Sequence, residues 1–215
     1  MASRRGTSAP LRTGGFYGVS SVRGRNELKT IDTGPTTTNV TSTATLTLLN
    51  GVATGTDYTN RIGRKIRMRN LYIRYWMAPE DNTCNDNVVR CMIVYDNQTN
   101  GAAPNITDIL NSSSVVEQLN LNNRDRFKVL WDKLFILGAV SNIATQAFSN
   151  GHNTYSGKKF IKLPLKGAME ALFGGTGSTV GSIQTGSIYL VLLAVATAGG
   201  SANFQYTTRI RFEDA

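Results

Sequence analysis

The chain is poor in the side chains that most often build catalytic, metal or disulfide sites. Its 215 residues include two cysteines, Cys84 and Cys91, and a single histidine, His152. Two cysteines are too few for a disulfide framework, and one histidine with no nearby acid gives neither a zinc ligand set nor a catalytic base. The sequence therefore predicts no metal site, no cofactor and no enzymatic activity, and it favours a reducing compartment.

Long apolar stretches are missing as well. The longest apolar run covers residues 188–196, which is far short of the roughly 20 residues that a membrane-spanning helix needs. The first residues contain no apolar signal-peptide core, so we expect neither secretion nor contact with a membrane.

Two segments resemble ligand sites only superficially. Glu80, Asp81 and Asp86 cluster in one loop, but their spacing fits no EF-hand, so a solvated loop is a simpler interpretation than a calcium site. Residues 174–177 are Gly-Gly-Thr-Gly, yet the Lys-Ser or Lys-Thr of a phosphate-binding loop does not follow them.

What the chain does have is an excess of positive charge, which is confined to two segments. The formal net charge is +9. Residues 1–29 hold six cations against Glu27, and residues 61–74 hold six cations and no acid. A solvated basic surface is the simplest explanation of either segment alone, whereas two such segments beside a neutral remainder favour a polyanion-binding site.

Segment 61–77 predicts a β-strand with one apolar and one cationic side. Through residues 65–69, isoleucine and methionine alternate with lysine and arginine, which is the period of a half-buried strand. From Leu71 onward the apolar positions shift by one residue. The shift predicts a β-bulge or a new strand near Asn70, and Arg74 then need not share a face with residues 64–69.

The remaining pattern favours an all-β fold of about eight strands in two packed antiparallel sheets, as in a sandwich or jelly roll. Residues 1–34 are expected to form a basic, partly disordered N-terminal arm, because they offer little apolar surface for burial, and residues 35–215 form one domain. The segment-level expectations are a long strand at 36–50, buried strands at 88–95 and 188–196, one bulged strand or two strands at 125–139, and short helices at 104–110, 115–119 and 168–173.

Nucleic acid is the polyanion that suits this charge distribution, since cations that neutralise phosphates release counterions. Aromatic residues near the cations would stack on unpaired bases and favour single strands, although core packing is the alternative for Tyr75 and Trp76. The other aromatic candidates are Phe16, Tyr17 and Tyr72. The candidate nucleic-acid-binding cations are Arg4, Arg5, Arg12, Arg23, Arg25, Arg64, Lys65, Arg67 and Arg69.

Several segments in a fixed order resemble the capsid proteins of circular single-stranded DNA viruses of the geminivirus-like kind. The resemblance covers residues 60–215, and its most specific part is Arg-Asp-Arg-Phe at 124–127. The segments are Arg-Ile-Gly-Arg-Lys-Ile (61–66), Leu-Tyr-Ile-Arg (71–74), Val-Arg-Cys-Met-Ile-Val-Tyr-Asp (89–96), Gly-Ala-Ala-Pro-Asn-Ile-Thr-Asp-Ile-Leu (101–110), Asn-Arg-Asp-Arg-Phe-Lys-Val-Leu (123–130) and Thr-Arg-Ile-Arg-Phe (208–212).

The resemblance implies one eight-stranded jelly roll that assembles with its own copies into an icosahedral T=1 shell. It further implies an inward-facing arm that packages circular single-stranded DNA, location in the virion, and passage through the host nucleus with nuclear import receptors. The arm departs from the family pattern, because only five arginines are spread over residues 1–25. More of the expected DNA contact therefore falls on residues 64–69, for which pairing with acids of a neighbouring subunit is the alternative.

Two other functions stay open from the residues. A capsid protein of a small single-stranded RNA or satellite virus would need the same phosphate-binding surface. A single-stranded DNA-binding or movement protein that never forms a shell would also need it.

Overall fold

A computed structural model describes residues 27–79, 87–137, 154–163, 169–195 and 202–215. Within these ranges the chain forms β-strands, one short α-helix and two 3-10 helices, at Leu121–Asn123 and Val180–Ser182. The strands and the helix are β1 (Lys29–Val40), β2 (Thr45–Leu48), β3 (Lys65–Pro79), β4 (Asn87–Asp96), α1 (Ile106–Ile109), β5 (Phe127–Leu137), β6 (Tyr155–Lys162), β7 (Glu170–Phe173), β8 (Ile183–Thr185), β9 (Ser187–Ala194) and β10 (Ala202–Asp214).

The strands build two antiparallel sheets. The six-stranded sheet has the order β1-β10-β3-β7-β8, with β6 also paired to β3, and the four-stranded sheet has the order β2-β9-β4-β5. Consecutive strands repeatedly change sheet, because β1 and β3 lie in one sheet and β2 and β4 in the other. Such crossing between two antiparallel sheets is typical of a jelly roll.

The ten strands of the described residues correspond to the eight that were predicted. β6 pairs with β3 from Asn70 to Met77, and β7 pairs with β3 from Lys65 to Arg67. These two strands therefore share one position along the same edge of β3. β8 is a three-residue extension beyond β7. The eight remaining positions confirm the predicted all-β jelly-roll class.

The main core lies between the two sheets, and a second core lies on the other side of the four-stranded sheet. Ile66, Met68, Leu71 and Phe212 belong to the first core. In the second core, side chains of β4 and β9 pack against α1 and the segment around Val115. Because both of their sides are covered, β4 and β9 are buried almost throughout, as their apolar sequences predict.

The predicted irregularity in β3 is a β-bulge at Arg69. Met68 pairs with Phe212 and Asn70 pairs with Arg211, so Arg69 is the extra residue. Met68 and Leu71 are both buried, which means that the bulge absorbs the shift in the apolar pattern. The two halves of β3 therefore present their polar side chains on the same face of the sheet, and Arg74 shares that face with Arg67. The sequence left the side of Arg74 undecided, and the bulge settles it.

The division into arm and domain stays a prediction, and the expected boundary at residues 34 and 35 lies within β1, which is paired with β10 from Lys29 onward. Three other expectations are corrected. The single strand expected over 36–50 is the end of β1 followed by β2 in the other sheet. Residues 115–119 are not helical, and residues 170–173 form β7, whose pairing with β3 overrides their weak helical pattern.

Two further expectations are confirmed. Residues 127–137 form one bulged strand, β5, with the register shift between its partners Ile93 and Val94. The helix expected within residues 104–110 is α1, which begins after Asn105. The Asp108 carboxylate accepts a hydrogen bond from the Asn105 backbone N–H at 2.8 Å, which satisfies a donor at the helix start.

Two of the segments that carry the family resemblance, 89–96 and 123–130, meet through an ion pair to a buried carboxylate. Asp96 at the end of β4 is fully buried, and Arg126 donates to both of its carboxylate oxygens at 2.9 Å. The Arg126 guanidinium also lies 4.7 Å from the ring centroid of Phe127. The Arg-Asp-Arg-Phe segment therefore fixes the start of β5 against β4.

Candidate nucleic-acid interface

Only one of the four sheet surfaces is left without a covering layer by the described residues. Two surfaces meet in the main core, and the outer side of the four-stranded sheet is covered by α1 and its neighbouring segments. No element of the described ranges covers the outer side of the six-stranded sheet. Its central strands β10, β3 and β6 place alternate side chains there.

Positive and aromatic residues concentrate on this outer side, which we call the basic face. The strand registers align its residues in rows across the sheet. One row contains Arg211, Asn70 and Lys162; the next contains Asp32, Arg209, Tyr72 and Phe160; the third contains Thr207, Arg74 and Lys158; the fourth contains Gln205, Trp76 and Ser156. Lys65, Arg67 and Arg69 extend the face along β3.

The cations of the predicted basic strand are largely paired within the chain. Lys65 lies 2.5 Å and Arg67 3.0 Å from the Glu170 carboxylate of β7. Arg69 forms an ion pair with Glu213 of β10. The hydrogen bond from Lys65 is the main cause that holds the pKa of Glu170 below its ordinary value. Four cations at 64–69 thus face two acids, and their net contribution is about half of what the sequence alone suggests.

Other cations of the basic face lack such partners. Among the described residues, Arg74, Lys158, Lys162 and Arg211 make no ion pair. The cations that make no ion pair in the described residues therefore lie in the middle rows of the sheet, and of these four only Arg74 belongs to the segment that the charge count singled out. Arg209 also lies on the basic face, but its charge is partly neutralised because its guanidinium is paired with Asp32 at 2.6 Å.

Three aromatic rings are exposed among these cations. Phe160 is 58% exposed and Trp76 is 42% exposed, while Tyr72 is partly exposed. Tyr75 instead faces the core, where its ring centroid lies 5.6 Å from that of Phe135. Core packing is thus the role of Tyr75, and Trp76 belongs to the basic face.

The first cation of segment 61–74 has a structural role. Arg61 is 2% exposed, and its guanidinium donates to the backbone carbonyls of Val52, Gly63 and Gly175. It also lies 4.2 Å from the ring centroid of Phe173. Arg61 therefore fixes the loop that precedes β3 and does not contribute charge to the surface.

Sequence reasoning identified part of this surface and missed another part. Arg4, Arg5, Arg12, Arg23 and Arg25 lie outside the described residues, as do Phe16 and Tyr17. Arg64 is exposed, and its Nε donates to the Phe173 carbonyl at 3.2 Å. The missed cations carry a readable signal, because Lys158 and Lys162 flank Phe160 at alternate positions, and Arg209 and Arg211 alternate with buried residues of β10.

The described residues give no support for another kind of site. They contain no group of three or more histidine, cysteine or acidic residues placed to hold a metal ion. Burial raises the pKa of the Cys91 thiol well above its ordinary value, so Cys91 is a core residue. The loop at 80–86, Cys84 and His152 lie outside the described residues. No helix in the described ranges is long and apolar enough to cross a membrane.

The sheet order defines the class as an all-β jelly roll, and the outer side of its six-stranded sheet carries the basic face. A family model described as the Geminivirus coat protein/nuclear export factor BR1 family matches residues 12–215. The chain belongs to this family. It is a viral coat protein and a component of the virion, and its role is structural and not enzymatic, as the sequence predicts.

Individual proteins resemble the chain more distantly. The coat protein of Maize white line mosaic Satellite virus is 26% identical over 184 residues, which are 84% of this chain and 77% of that protein. Two solved structures of the Macrobrachium rosenbergii nodavirus cover 100% of this chain. The semi-empty virus-like particle has 14% identity, a TM-score of 0.31 and 95% of its chain covered, and the other has 12% identity, a TM-score of 0.28 and 60% of its chain covered.

Proposed function

We propose that copies of this coat protein close into an icosahedral shell and package circular single-stranded DNA against the basic face. The observation that carries the proposal is the bare outer side of the six-stranded sheet, where Arg74, Lys158, Lys162 and Arg211 have no ion-pair partner in the described residues. An uncovered sheet surface with several unneutralised cations fits a polyanion better than an apolar protein partner.

In this proposal the basic strand and the N-terminal arm add to the same interface. Residues 64–69 contribute about two net positive charges beyond the acids they pair with. The arginines of the arm, Arg4, Arg5, Arg12, Arg23 and Arg25, extend the contact inward. We further propose a T=1 lattice and assembly in the host nucleus, with host nuclear import receptors as partners.

Replacing the unpaired cations tests the binding surface. The variant carries Gln at residues 74, 158, 162 and 211. Because these residues lie on the surface away from the core, we expect shells to form with their ordinary size. The nucleic acid per shell, measured by the ratio of absorbance at 260 and 280 nm, is expected to fall. A matched control replaces the exposed Lys128 and Arg124, which lie outside the basic face, with Gln.

The control distinguishes a specific effect of the basic face from a general effect of total charge. The control removes two positive charges and the variant removes four, so an equal loss of nucleic acid per charge removed would mean that overall charge and not the basic face retains the strand. Unchanged content in the four-residue variant would remove the basic face as the interface.

A coat protein for a satellite virus is the second candidate, and the match to the Maize white line mosaic Satellite virus coat protein favours it. Phosphates alone do not distinguish DNA from RNA, whereas the 2′-hydroxyl does. Assembly with equal amounts of single-stranded DNA and RNA of one sequence, followed by digestion of the packaged strand with DNase or RNase, distinguishes the two candidates. Small oligomers without shells would favour a single-strand-binding or movement protein.

A further inference from the structure

Tyr72, Arg74 and Trp76 place an aromatic ring, a cation and a second aromatic ring in line on the basic face. They occupy alternate positions of β3, so neighbouring members are about 7 Å apart along the strand. The cross-strand partners continue this order. Thr207 and Lys158 flank Arg74, Arg209 and Phe160 flank Tyr72, and Gln205 and Ser156 flank Trp76.

Arg74 lies between two shallow cavities of the surface. The first has a volume of about 440 Å³ and is lined by Asp32, Gly34, Tyr72, Arg74 and Arg209 among others. The second has a volume of about 280 Å³ and is lined by Pro35, Arg74, Trp76 and Gln205 among others. The irregular part of β1 at Gly34 and Pro35, where the register with β10 shifts, forms the rim of both cavities.

Arg74 is held in a position to bind a phosphate between the cavities. Its Nε donates to the Tyr72 hydroxyl at 3.0 Å, and its guanidinium lies 6.0 Å from the Tyr72 ring centroid. No carboxylate in the described residues pairs with it, and Lys158 adds a second cation directly across the strand. The row of Thr207, Arg74 and Lys158 therefore offers a hydroxyl and two cations to one phosphate group.

We propose that this arrangement is a site for one dinucleotide step of an unpaired strand. The phosphate binds Arg74 and Lys158, one base stacks on Tyr72, and the next base stacks on Trp76 beside Pro35 and Gln205. The inference rests on the proposed packaging function and specifies which form of nucleic acid the face selects. A base held in a duplex is already stacked and paired, so only an unpaired strand places its bases on these rings.

Trp76 provides a direct probe of base stacking. The chain has two tryptophans, and the other, Trp131, is partly buried with its ring centroid 5.6 Å from that of Tyr75. In full-length unassembled subunits with Trp131→Phe, the fluorescence that remains comes from Trp76. The probes are an eight-nucleotide thymidine oligomer, an abasic oligomer with the same number of phosphates, and a duplex of the same length.

The thymidine oligomer is expected to quench Trp76 and to bind at least about thirtyfold more tightly than the abasic oligomer, because two rings stack and each stacking contact is worth about fivefold or more. Tyr72→Leu and Trp76→Leu should each remove much of this difference in affinity without weakening the binding of the abasic oligomer. Because Trp76→Leu lacks the fluorescent probe, its binding is followed by the anisotropy of a labelled oligomer. Arg74→Gln with Lys158→Gln should weaken both oligomers. The duplex should leave the fluorescence unchanged.

Two results would overturn the proposal in different ways. Equal affinity for the thymidine and abasic oligomers, with no quenching, would show that the face binds phosphates without stacking bases; the dinucleotide site would then be wrong and the packaging function would stand. If neither oligomer binds, or if Arg74→Gln with Lys158→Gln changes nothing, the basic face is not the interface and the proposed function loses its supporting surface.

Discussion

The carboxylate of Glu170 neutralises part of the charge of the basic strand. It accepts from Lys65 and from Arg67, and its side chain is 28% exposed. Partly exposed ion pairs of this kind contribute only about 0.2–1 kcal/mol each to stability. The main effect of Glu170 is therefore electrostatic, because it reduces the positive charge available to a phosphate at this end of the basic face.

Glu170→Gln is expected to strengthen nucleic-acid binding, since two cations lose their acidic partner. If both then contact phosphates, the slope of log affinity against log salt concentration should steepen by up to about 1.4, at roughly 0.7 per contact for single strands. Anisotropy titrations between 50 and 300 mM salt would measure the change. Glu117→Gln changes the net charge equally in a segment away from the basic face and should leave the slope unaltered. An unaltered slope in Glu170→Gln would remove Lys65 and Arg67 from the interface.

Lowering the pH should also strengthen nucleic-acid binding, because protonation of Glu170 removes the acidic partner of Lys65 and Arg67. It should weaken the folded state at the same time. The folded-state pKa of Glu170 is lowered, so its ion pairs stabilise the protein at neutral pH, and this contribution is lost as the pH falls through the lowered pKa.

At the residue level, the sequence identified the cations of β3 but could not locate their partners. Arg67 and Glu170 are separated by 103 positions, and Arg69 and Glu213 by 144. Charge counted in a local window therefore overestimated the free charge at 64–69. The same count placed Lys158, Lys162, Arg209 and Arg211 in a neutral remainder. It balanced them against acids that are near in sequence but lie elsewhere in the fold.

At the level of elements, hydrophobic periodicity predicted most strands because each is buried on at least one side. The shift near Asn70 predicted either a bulge or a new strand, and β3 contains a bulge. Its consequence for Arg74 could not be read from the sequence, because a bulge and a new strand give the same local pattern but opposite orientations downstream. β7 was missed because four residues carry little periodic signal and their strand character comes from pairing with β3.

The irregular part of β1 depends on Gly34. Its φ angle is +97°, and a Cβ at this position would lie 2.5 Å from the backbone oxygen of Tyr206. Gly34→Ala should therefore lower the free energy of unfolding by about 1–3 kcal/mol, in the range of a strained residue at positive φ. Chemical denaturation of unassembled subunits would measure it. Gly63→Ala is the matched control, since the nearest atoms would lie 3.9 Å away. Equal stability of the two variants would contradict the requirement for glycine at position 34 of β1.

At the level of the whole molecule, coverage of the sheets determines where nucleic acid can bind. The four-stranded sheet is enclosed by the main core and by the layer that contains α1. The described residues enclose the six-stranded sheet on one side only, and the cations that make no ion pair within those residues lie on its other side. The expected arm and this open side are separate sources of positive charge in one chain, so their contributions to packaging can be separated by experiment.

Removal of residues 1–26 and neutralisation of Arg74, Lys158, Lys162 and Arg211 should lower packaging by independent amounts. Each change removes a distinct group of cations, and contributions from separate phosphate contacts add in the salt dependence. If every cation contacts a phosphate, the slope should decrease by about 3.5 for the five arginines of residues 1–26 and by about 2.8 for the four cations of the basic face. The combined variant should lose the sum of the two and package the least nucleic acid. If removal of residues 1–26 alone matches the combined variant, the arm carries the whole contact, and the open side of the sheet must face another part of the shell.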